Sequence, residues 1–509
     1  MYELYDYQND ILDWMKDIED NIEDPNYLKN INNLTGGMLV LEMGLGKTLI
    51  SLEHIKRNRA SDDTPTLVIM SKTLMATWQT EMIKFDLDMK LNAIYMHKDF
   101  LPHIDLLSYN EIMEADIVLT TYEVVMASFK ITKDEIKEEL YEIGLTGIHK
   151  GKIIGYKNRP EPCMDNINDY IGKELIHRMA WTRIICDESQ RFANIKTKTF
   201  QSMHALYGKY KWCLTGTPVR NSYKDIWAQL KFCGYKSLSP RNFNNIKYNK
   251  IKNVYRLKIR DIHRPLPKLH KHKEVVEMNK IHKKVYIAYA QALRDQIEQF
   301  ELKLCGFSCV LEAFLRLRQV SVSPYILSNG KYEDKLLRTT KLRRIKELVD
   351  TNPDRKIIIF SMYEAVFQCI ELMIKVPYLK ITGKVSNAST RSDLLQQFRT
   401  SEDYNVLLLN YKIGSEGLNI TEANMVICVE PWWNDAVHSQ AISRSHRNGQ
   451  KKEVDAYFIL SKNTIEESII QMCNEKKMQS KNLLKKNKKM NGITGINIGR
   501  IKKMLEETL

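Results

Sequence analysis

Met38-Leu39-Val40-Leu41-Glu42-Met43-Gly44-Leu45-Gly46-Lys47-Thr48 is an apolar run, a glycine turn and a Lys-Thr pair, and the helical pattern of Leu49, Ile50, Leu52 and Ile55 follows at once. The order is strand, glycine loop, helix. Glycines let backbone N–H groups approach phosphate oxygens, and the helix N-terminus adds a dipole that favours an anion. Lys47 can reach the terminal phosphates of a nucleotide, and the Thr48 hydroxyl can hold Mg²⁺. One position departs from the G-x-x-x-x-G-K-[ST] pattern, because Leu41 stands where the first glycine would be. The plain alternative is a glycine turn that merely precedes Lys-Thr, so the rest of the chain decides.

Downstream, apolar runs alternate with helical patterns. Thr66–Met70, Asp116–Tyr122, Arg183–Glu188 and Trp212–Thr215 read as strands, with a helix through Trp78, Met82 and Phe85 between the first two. Continuous apolar strands separated by helices predict a parallel sheet covered on both faces. Ligands of such sheets bind at the carboxyl ends of the strands. The glycine loop, Thr120-Thr121, Asp187-Glu188 and Thr215-Gly216-Thr217-Pro218 all fall there. One carboxylate at such an end can hold Mg²⁺ and the next can orient and deprotonate an attacking water. Alone, Asp-Glu is a solvated turn; at the end of an apolar strand downstream of a phosphate loop it is far more specific. Upstream, Tyr7-Gln8 opens a helical pattern (Ile11, Leu12, Trp14, Met15, Ile18) and could stack on and hydrogen-bond an adenine. The charged, weakly periodic stretch 123–180 reads as an insertion.

From Lys231 to Arg338 the pattern is largely helical and basic. A second strand–helix series follows, with Ile357–Phe360, Tyr378–Thr382, Val406–Leu409 and Met425–Val429 as strands. Its strand ends carry Gly414–Asn419 and Glu430-Pro431-Trp432-Trp433-Asn434, and then Gln440–Gln450. Arg444 and Arg447 are three apart, so on a helix they would share a face. Two guanidiniums there could clamp a polyphosphate, although a basic surface helix is the plainer reading.

A chain of 509 residues is too long for one core, and 43% hydrophobic with 27% charged residues is an ordinary globular composition. No apolar run approaches a membrane span, and the acidic start Tyr2–Asp6 has no signal-peptide design. The formal charge of +15 suits a polyanionic partner, and it is concentrated late: residues 471–509 hold ten Lys or Arg against three Glu. Nine cysteines are scattered, and only Cys305 and Cys309 lie close together, so no zinc site is completed. Reduced thiols and no signal predict the nucleus, the cytoplasm or a viral replication site, and not secretion.

Together these stretches resemble the SNF2 family of superfamily 2 ATPases, in the family's order from Tyr7 to about Gln471. Tyr7-Gln8 resembles its adenine motif, and Gly37–Thr48 its nucleotide loop, which tolerates a non-Gly first position. Leu67–Phe85 resembles the next motif, with Ser71 where Pro is usual. Trp181–Asn194 resembles the DEAH-type box, with Gln190 for the common His. Leu214–Pro218 with Asn221-Ser222 resembles motif III, and Ile358-Phe360-Ser361 motif IV. Gly383, Arg391 and Phe398 fit the following segment. Gly414–Asn419 and Pro431-Trp433-Asn434 resemble motif V and its neighbour, with Glu416 for a usual Gly and Glu430 for a usual Asp. Gln440–Gln450 resembles motif VI, and Thr464–Glu467 the helix after it. The box ending in Gln and Leu317-Arg318-Gln319-Val320 are most similar to the Rad5/Rad16 and transcription-termination-factor branch, whose zinc-binding RING insertion the cysteine count leaves no means to build. The abundance of Lys, Asn and Ile suits a compact AT-rich genome such as a large DNA virus.

The resemblance implies an α/β fold of two RecA-like lobes, with parallel sheets covered by helices, plus helical insertions and a basic helical C-terminal tail. The expected bounds are 1–232 for the first lobe, 233–338 for a helical insertion, 339–470 for the second lobe and 471–509 for the tail. It implies ATP and Mg²⁺ as cofactors, contacted by Tyr7, Gln8, Met43, Gly44, Leu45, Gly46, Lys47, Thr48 and Gln440, with Thr48 and Asp187 toward the metal. Lys47, Asp187, Glu188, Arg444 and Arg447 would carry the chemistry, the two arginines as arginine fingers. Thr121, Gln190, Thr215, Thr217, Arg391, Asn419 and Trp433 would contact nucleic acid or couple it to hydrolysis. The implied activity is a DNA-dependent ATPase that moves along double-stranded DNA and acts on a protein–DNA complex, such as a nucleosome or an RNA polymerase. The alternatives are a strand-separating DNA or RNA helicase, a viral transcription-release ATPase, and a non-catalytic nucleic-acid-binding scaffold.

Overall fold

The computed structural model describes residues 2–22, 24, 34–59, 64–142, 147–149, 152–154, 162, 166–219, 224–235, 251–262, 266–327, 334–383, 385, 388–414, 418–433, 435–447, 449–485 and 498–506. The chain divides into two compact units, Met1–Arg264 with Asn482–Gly492 and Pro265–Lys481 with Ile493–Leu509.

The first unit is built on seven strands: β1 (Gly36–Leu41), β2 (Thr66–Met70), β3 (Ala93–Met96), β4 (Ile117–Thr121), β7 (Trp181–Asp187), β8 (Gly208–Thr215) and β9 (Val254–Leu257). Their order across the sheet is β3-β4-β2-β7-β8-β1-β9, and every pairing is parallel. A short antiparallel hairpin, β5 (Gly147–His149) and β6 (Lys152–Ile154), interrupts the series. Successive strand side chains point to opposite faces, and both faces are covered. Met38 and Val40 enter one apolar core, while Leu39 and Leu41 enter the other. That two-sided burial is why these strands read as unbroken apolar runs.

Three helices matter for the site: α1 (Asp6–Asp20), α2 (Lys47–Arg57) and α3 (Lys72–Lys84). Ile11, Leu12, Met15 and Ile18 of α1 are buried against the sheet, and so is Glu19. A buried carboxylate is costly unless paired. Glu19 Oε1 accepts from Arg183 Nε at 2.7 Å and from Trp212 Nε1 at 2.8 Å, and Oε2 accepts from Arg183 Nη2 at 2.6 Å. His54 of α2 lies 3.0 Å away. The Arg183 guanidinium and these bonds outweigh burial and hold Glu19 down at about 2. Glu19 therefore nails the end of α1 to β7, β8 and α2.

The second unit carries six parallel strands: β10 (Leu269–Val276), β11 (Ile357–Ser361), β12 (Tyr378–Ile381), β13 (Val406–Asn410), β14 (Met425–Cys428) and β15 (Val454–Ser461), in the order β10-β15-β14-β11-β13-β12. Ile357 and Ile359 face one core, Ile358 and Phe360 the other. A separate helical core joins α5 (Lys280–Glu301), α6 (Phe307–Val322), α9 (Ile465–Lys485) and α10 (Ile498–Glu506) through Tyr286, Leu293, Phe314, Ile469, Ile501 and Leu505. The helix numbers α4, α7 and α8 belong to Tyr122–Glu142, Thr340–Asp350 and Asp435–Ile442.

These features redraw the expected boundaries. Stretch 233–338 is not one helical insertion, because β9 completes the first sheet and β10 edges the second. Much of 123–180 belongs to the first unit's body: Val125 of α4 and Leu175, Ile176 and Met179 are in its core. The apolar face of α10, in the basic tail, is buried in the second unit. No helix among the described residues is long and apolar enough to cross a membrane.

Candidate nucleotide site and nucleic-acid residues

Strand order gathers the first unit's candidate residues. β1 pairs with β8, and β8 with β7, so Val40 lies beside Thr215 and Leu214 beside Asp187. The loops leaving these three strands therefore share one edge of the sheet.

The glycine loop has the backbone its sequence predicts. Gly44 and Gly46 have φ of 91° and 75°, a region that favours glycine. Gly46 is also the residue before the first turn of α2. The positive φ is what requires glycine here; a Cβ would also sit 2.6 Å from Gln8 Nε2, so the Gln8 side chain would have to shift. Gln8 is buried at the start of α1, where its Oε1 accepts from Tyr5 N at 3.0 Å. The Tyr7 hydroxyl donates to Leu45 O at 3.4 Å. Tyr7 and Gln8 are thus brought to the loop from outside its own sequence. Leu45 is buried, Met43 and Thr48 are half-buried, and Lys47 Nζ donates to Leu41 O at 3.1 Å. A Cβ on Gly216 would lie 3.8 Å from Lys47 Nζ, which places the Thr215–Pro218 loop against the lysine.

Asp187 ends β7 and is buried. Its Oδ2 accepts from Trp78 Nε1 at 3.1 Å, and its carbonyl accepts from Tyr122 Oη at 2.7 Å. Burial and the neighbouring Glu188 carboxylate push Asp187 up to about 6, against the pull of the Lys47 ammonium and the Trp78 bond. A buried carboxylate raised by another carboxylate is the electrostatic setting that a divalent cation relieves. Together with the glycine cradle and Lys47, this fits a nucleotide with its Mg²⁺. Thr48 and Asp187 would hold the metal, which would neutralise phosphate charge.

Glu188 adopts a left-handed backbone (φ 51°, ψ 46°), unusual for a non-glycine residue and a form of strain that collects at functional sites. Its N–H donates to Asp187 Oδ1 at 2.8 Å. Gln190 Nε2 donates to the Glu188 carboxylate, and Thr215 Oγ1 donates to Gln190 Oε1 at 2.6 Å. Thr217 N donates to Thr215 Oγ1 at 3.0 Å. Gln190 therefore joins the acidic box to the next loop with both ends of its amide. Ser189 Oγ donates to Gln229 Oε1 at 2.6 Å, and Gln229 Nε2 donates to Pro218 O at 3.0 Å, fixing the same two loops from behind. Trp78, Tyr122, Ser189 and Gln229 were not legible as site residues, since their roles depend on which strand ends adjoin.

Thr121 is fully buried, and its hydroxyl accepts from Val124 N at 3.2 Å, capping the start of α4.

In the second unit, α8 ends at Ile442, so Arg444 and Arg447 do not share a helix face as their spacing suggested. They lie in the turns that follow. Arg444 is buried and its Nη1 donates to Leu418 O at 3.3 Å, whereas Arg447 is half-buried. Gln450 fixes these turns: its Nε2 reaches Thr421, Ala423 and Ser445 carbonyls at 2.9–3.0 Å. Gln440 is buried, and its carbonyl accepts from Ser443 Oγ at 2.7 Å. Arg391 Nε donates to Val385 O at 2.6 Å, and Asn419 is exposed, its carbonyl accepting from Arg399 Nη2 at 2.6 Å. Trp433 is half-buried and stacked on Trp432 at 3.8 Å. Asn221, Ser222, Glu416, Asn434 and Asn448 lie outside the described residues.

A glycine loop with Lys-Thr, an acidic pair at the same sheet edge two strands away, and a second parallel α/β unit define a helicase-like ATPase. Residues 7–326 match the SNF2-related domain and residues 340–449 the helicase conserved C-terminal domain, and the chain belongs to the SNF2-related family. It is 34% identical to a protein of Invertebrate iridescent virus 6 named as a helicase, 172L, covering 93% of this chain and 89% of that one. It is 25% identical to an uncharacterized ATP-dependent helicase of Mycoplasma genitalium, covering 93% of this chain but 41% of the relative. Among solved structures, the Sulfolobus solfataricus SWI2/SNF2 ATPase core in complex with dsDNA is similar at 22% identity and a TM-score of 0.37, covering 95% of this chain and 93% of that one.

Proposed function

We propose that this chain hydrolyses ATP to move along duplex DNA without extensive strand separation, displacing or remodelling a protein bound to it. The observation that carries the reading is the hydrogen-bonded run from Glu188 through Gln190 to Thr215 and Thr217. It ties the residue suited to activating water to a second loop, so hydrolysis and the position of that loop are mechanically linked. Lys47 and the loop N–H groups would bind phosphate, Thr48 and Asp187 would hold Mg²⁺, which would neutralise phosphate charge, and Glu188 would accept the proton of the attacking water. Arg444 and Arg447 supply guanidinium charge to the transferring phosphoryl group. The formal charge of +15 and the family membership support a nucleic-acid track. Tracking needs backbone contacts rather than base reading, and Arg391, Asn419 and Trp433 are the residues assigned to it.

The test is an ATPase assay with duplex DNA, single-stranded DNA and RNA, paired with triplex-strand displacement. Duplex-stimulated turnover with displacement of the third strand is expected. Preferential stimulation by RNA, or unwinding of the duplex itself, would support the strand-separating reading instead.

A further inference from the structure

Arg318, in the middle of α6, is 2% exposed. Arginine is seldom fully buried without a carboxylate partner; among the described residues no carboxylate is in hydrogen-bond contact with it, and the buried Glu430 acts on it through charge alone. Its Nη2 donates to Pro431 O at 3.0 Å, and its Nη1 is buried without a hydrogen-bond partner. Aromatic rings surround it instead. The guanidinium carbon lies 4.6 Å from the Trp432 ring centroid, 4.8 Å from Trp433 and 5.6 Å from Tyr363. A planar guanidinium against indole faces is a cation–π arrangement that an ammonium does not reproduce equally well.

The same loop is held from its other side. Glu430, one residue before Pro431, is buried and accepts from Met362 N at 2.6 Å and from Ser361 Oγ at 3.1 Å. Trp432 N donates to His438 Nε2 at 2.9 Å, and Cys473 Sγ contacts Trp432 O at 3.1 Å. Trp433 packs on the helical core of α5, α6, α9 and α10. The loop backbone is thus fixed at Glu430, Pro431 and Trp432, and Arg318 lies over both indoles.

We infer that Arg318 is a positioning residue: its guanidinium holds the Trp432–Trp433 stack in place, so that Trp433 meets nucleic acid already ordered. This rests on the nucleic-acid reading of Trp433 above. Arg318 is itself too buried to contact a phosphate, so it acts through the tryptophans.

The test uses the full chain with Arg318→Met, Arg318→Lys, Trp433→Ala and the double variant Arg318→Met/Trp433→Ala. Two indoles stacked at 3.8 Å give an exciton couplet in circular dichroism, identified by its loss in Trp433→Ala. The couplet should be lost or strongly reduced in Arg318→Met and not restored in Arg318→Lys. A couplet unchanged in Arg318→Met overturns the inference, whether or not the protein binds DNA. Binding to a short fluorescent duplex DNA should weaken roughly tenfold in each single variant, with the double variant no weaker than the weaker single one. The slope of log affinity against log salt should match the wild type in Arg318→Met, because no phosphate contact is removed. A reduced slope, or losses that add, would mean Arg318 acts independently of Trp433. Failure of the wild type to bind duplex DNA would sink the nucleic-acid reading alone; the couplet would still decide whether Arg318 orders the stack. Should Arg318→Met fail to fold, Arg318→Lys carries the same couplet and salt comparisons.

Discussion

Thr215 donates its hydroxyl hydrogen to Gln190 at 2.6 Å, and Gln190 donates in turn to the Glu188 carboxylate. An amide serves at this position because it can donate and accept at once. Gln190→Ala breaks the run while leaving the phosphate loop intact. Maximal ATP turnover should fall on the order of 10- to 100-fold, with KM for ATP changing less than about threefold. Gln190→His should retain most activity, because an imidazole can also bridge. Steady-state phosphate release across ATP concentrations reads both; a rise in KM alone would mean that Gln190 serves binding.

Lys47→Ala should abolish hydrolysis and leave the near-UV circular dichroism unchanged, because Lys47 is only half-buried and its Nζ donates to the Leu41 carbonyl at the end of β1. Arg447→Ala should lower turnover on the order of 10³-fold or more, the range for arginines that stabilise phosphoryl transfer. Full stimulated turnover in Lys47→Ala would refute the site assignment.

Gly46→Ala forces a side chain into the left-handed region, at about 1–2 kcal/mol, and drives its Cβ against Gln8. Differential scanning fluorimetry should show a lowered Tm without ligand. The upward Tm shift given by ATP with Mg²⁺ in the wild type should be lost as well.

His282 is buried in α5, and its Nε2–H donates to Val320 O at 2.6 Å. Burial pushes it down to about 4, against the pull of that carbonyl. Its folded value lies below the unfolded value of about 6.5, so its contribution to stability is complete above pH 6.5. That contribution is lost as pH falls toward 4, at up to about 1.4 kcal/mol per pH unit. Glu430 and Asp187, raised to about 7 and about 6, act in the opposite sense. His282→Gln leaves both in place. The difference in unfolding free energy between wild type and His282→Gln, measured in urea from pH 7 to 4.5, should therefore move steadily against the wild type as pH falls. A flat difference would mean that His282 is charged in the folded state or exposed.

Lys341 and Glu466 form a fully buried ion pair, with Lys341 Nζ 2.7 and 2.6 Å from the two carboxylate oxygens and 3.0 Å from Val429 O. Lys341→Met strands the carboxylate and should cost roughly 3–5 kcal/mol. Glu466 also accepts from Ser321 Oγ at 2.9 Å and from Ser461 N at 2.8 Å. Lys341→Met/Glu466→Gln keeps a partner for both, since the amide oxygen can accept from Ser461 N and the amide nitrogen can donate to Ser321 Oγ, and it removes the stranded charge. It should therefore be more stable in urea than Lys341→Met alone.

The central strands were legible because burial on both faces leaves only apolar residues, as in Met38–Leu41 and Ile357–Phe360. The strands that escaped notice are those at edges or with half-exposed faces. β10 reads Leu-His-Lys-His-Lys-Glu-Val-Val and sits at a sheet edge, so its charged residues hid it. β9 is half-exposed throughout. The phosphate loop, Asp187 and Glu188 were legible because backbone and chemistry coincide in one short stretch. Arg444 and Arg447 were read correctly as a spacing and wrongly as a helix, since nothing in Ser443–Arg447 announces the end of α8. The buried charges do leave a mark in the sequence: Glu19 falls four residues after Met15 on the apolar face of α1, and Lys341 falls four before Ile345 on that of α7. A charge on an apolar face needs a partner, but sequence does not say which.

The root of the phosphate loop is tied to the chain that leaves the first unit. Asn253 Nδ2 donates to Gly36 O at 2.7 Å, Glu42 N donates to Leu257 O at 3.1 Å, and Ile259 N donates to the Glu42 carboxylate at 2.9 Å. Glu42 immediately precedes Met43. Glu42 thus serves two neighbours at once: its N–H and carboxylate hold the end of β9 and the turn after it, and its own backbone leads into Met43, so loss of the Glu42 carboxylate would slacken that turn and the entry to the phosphate loop together.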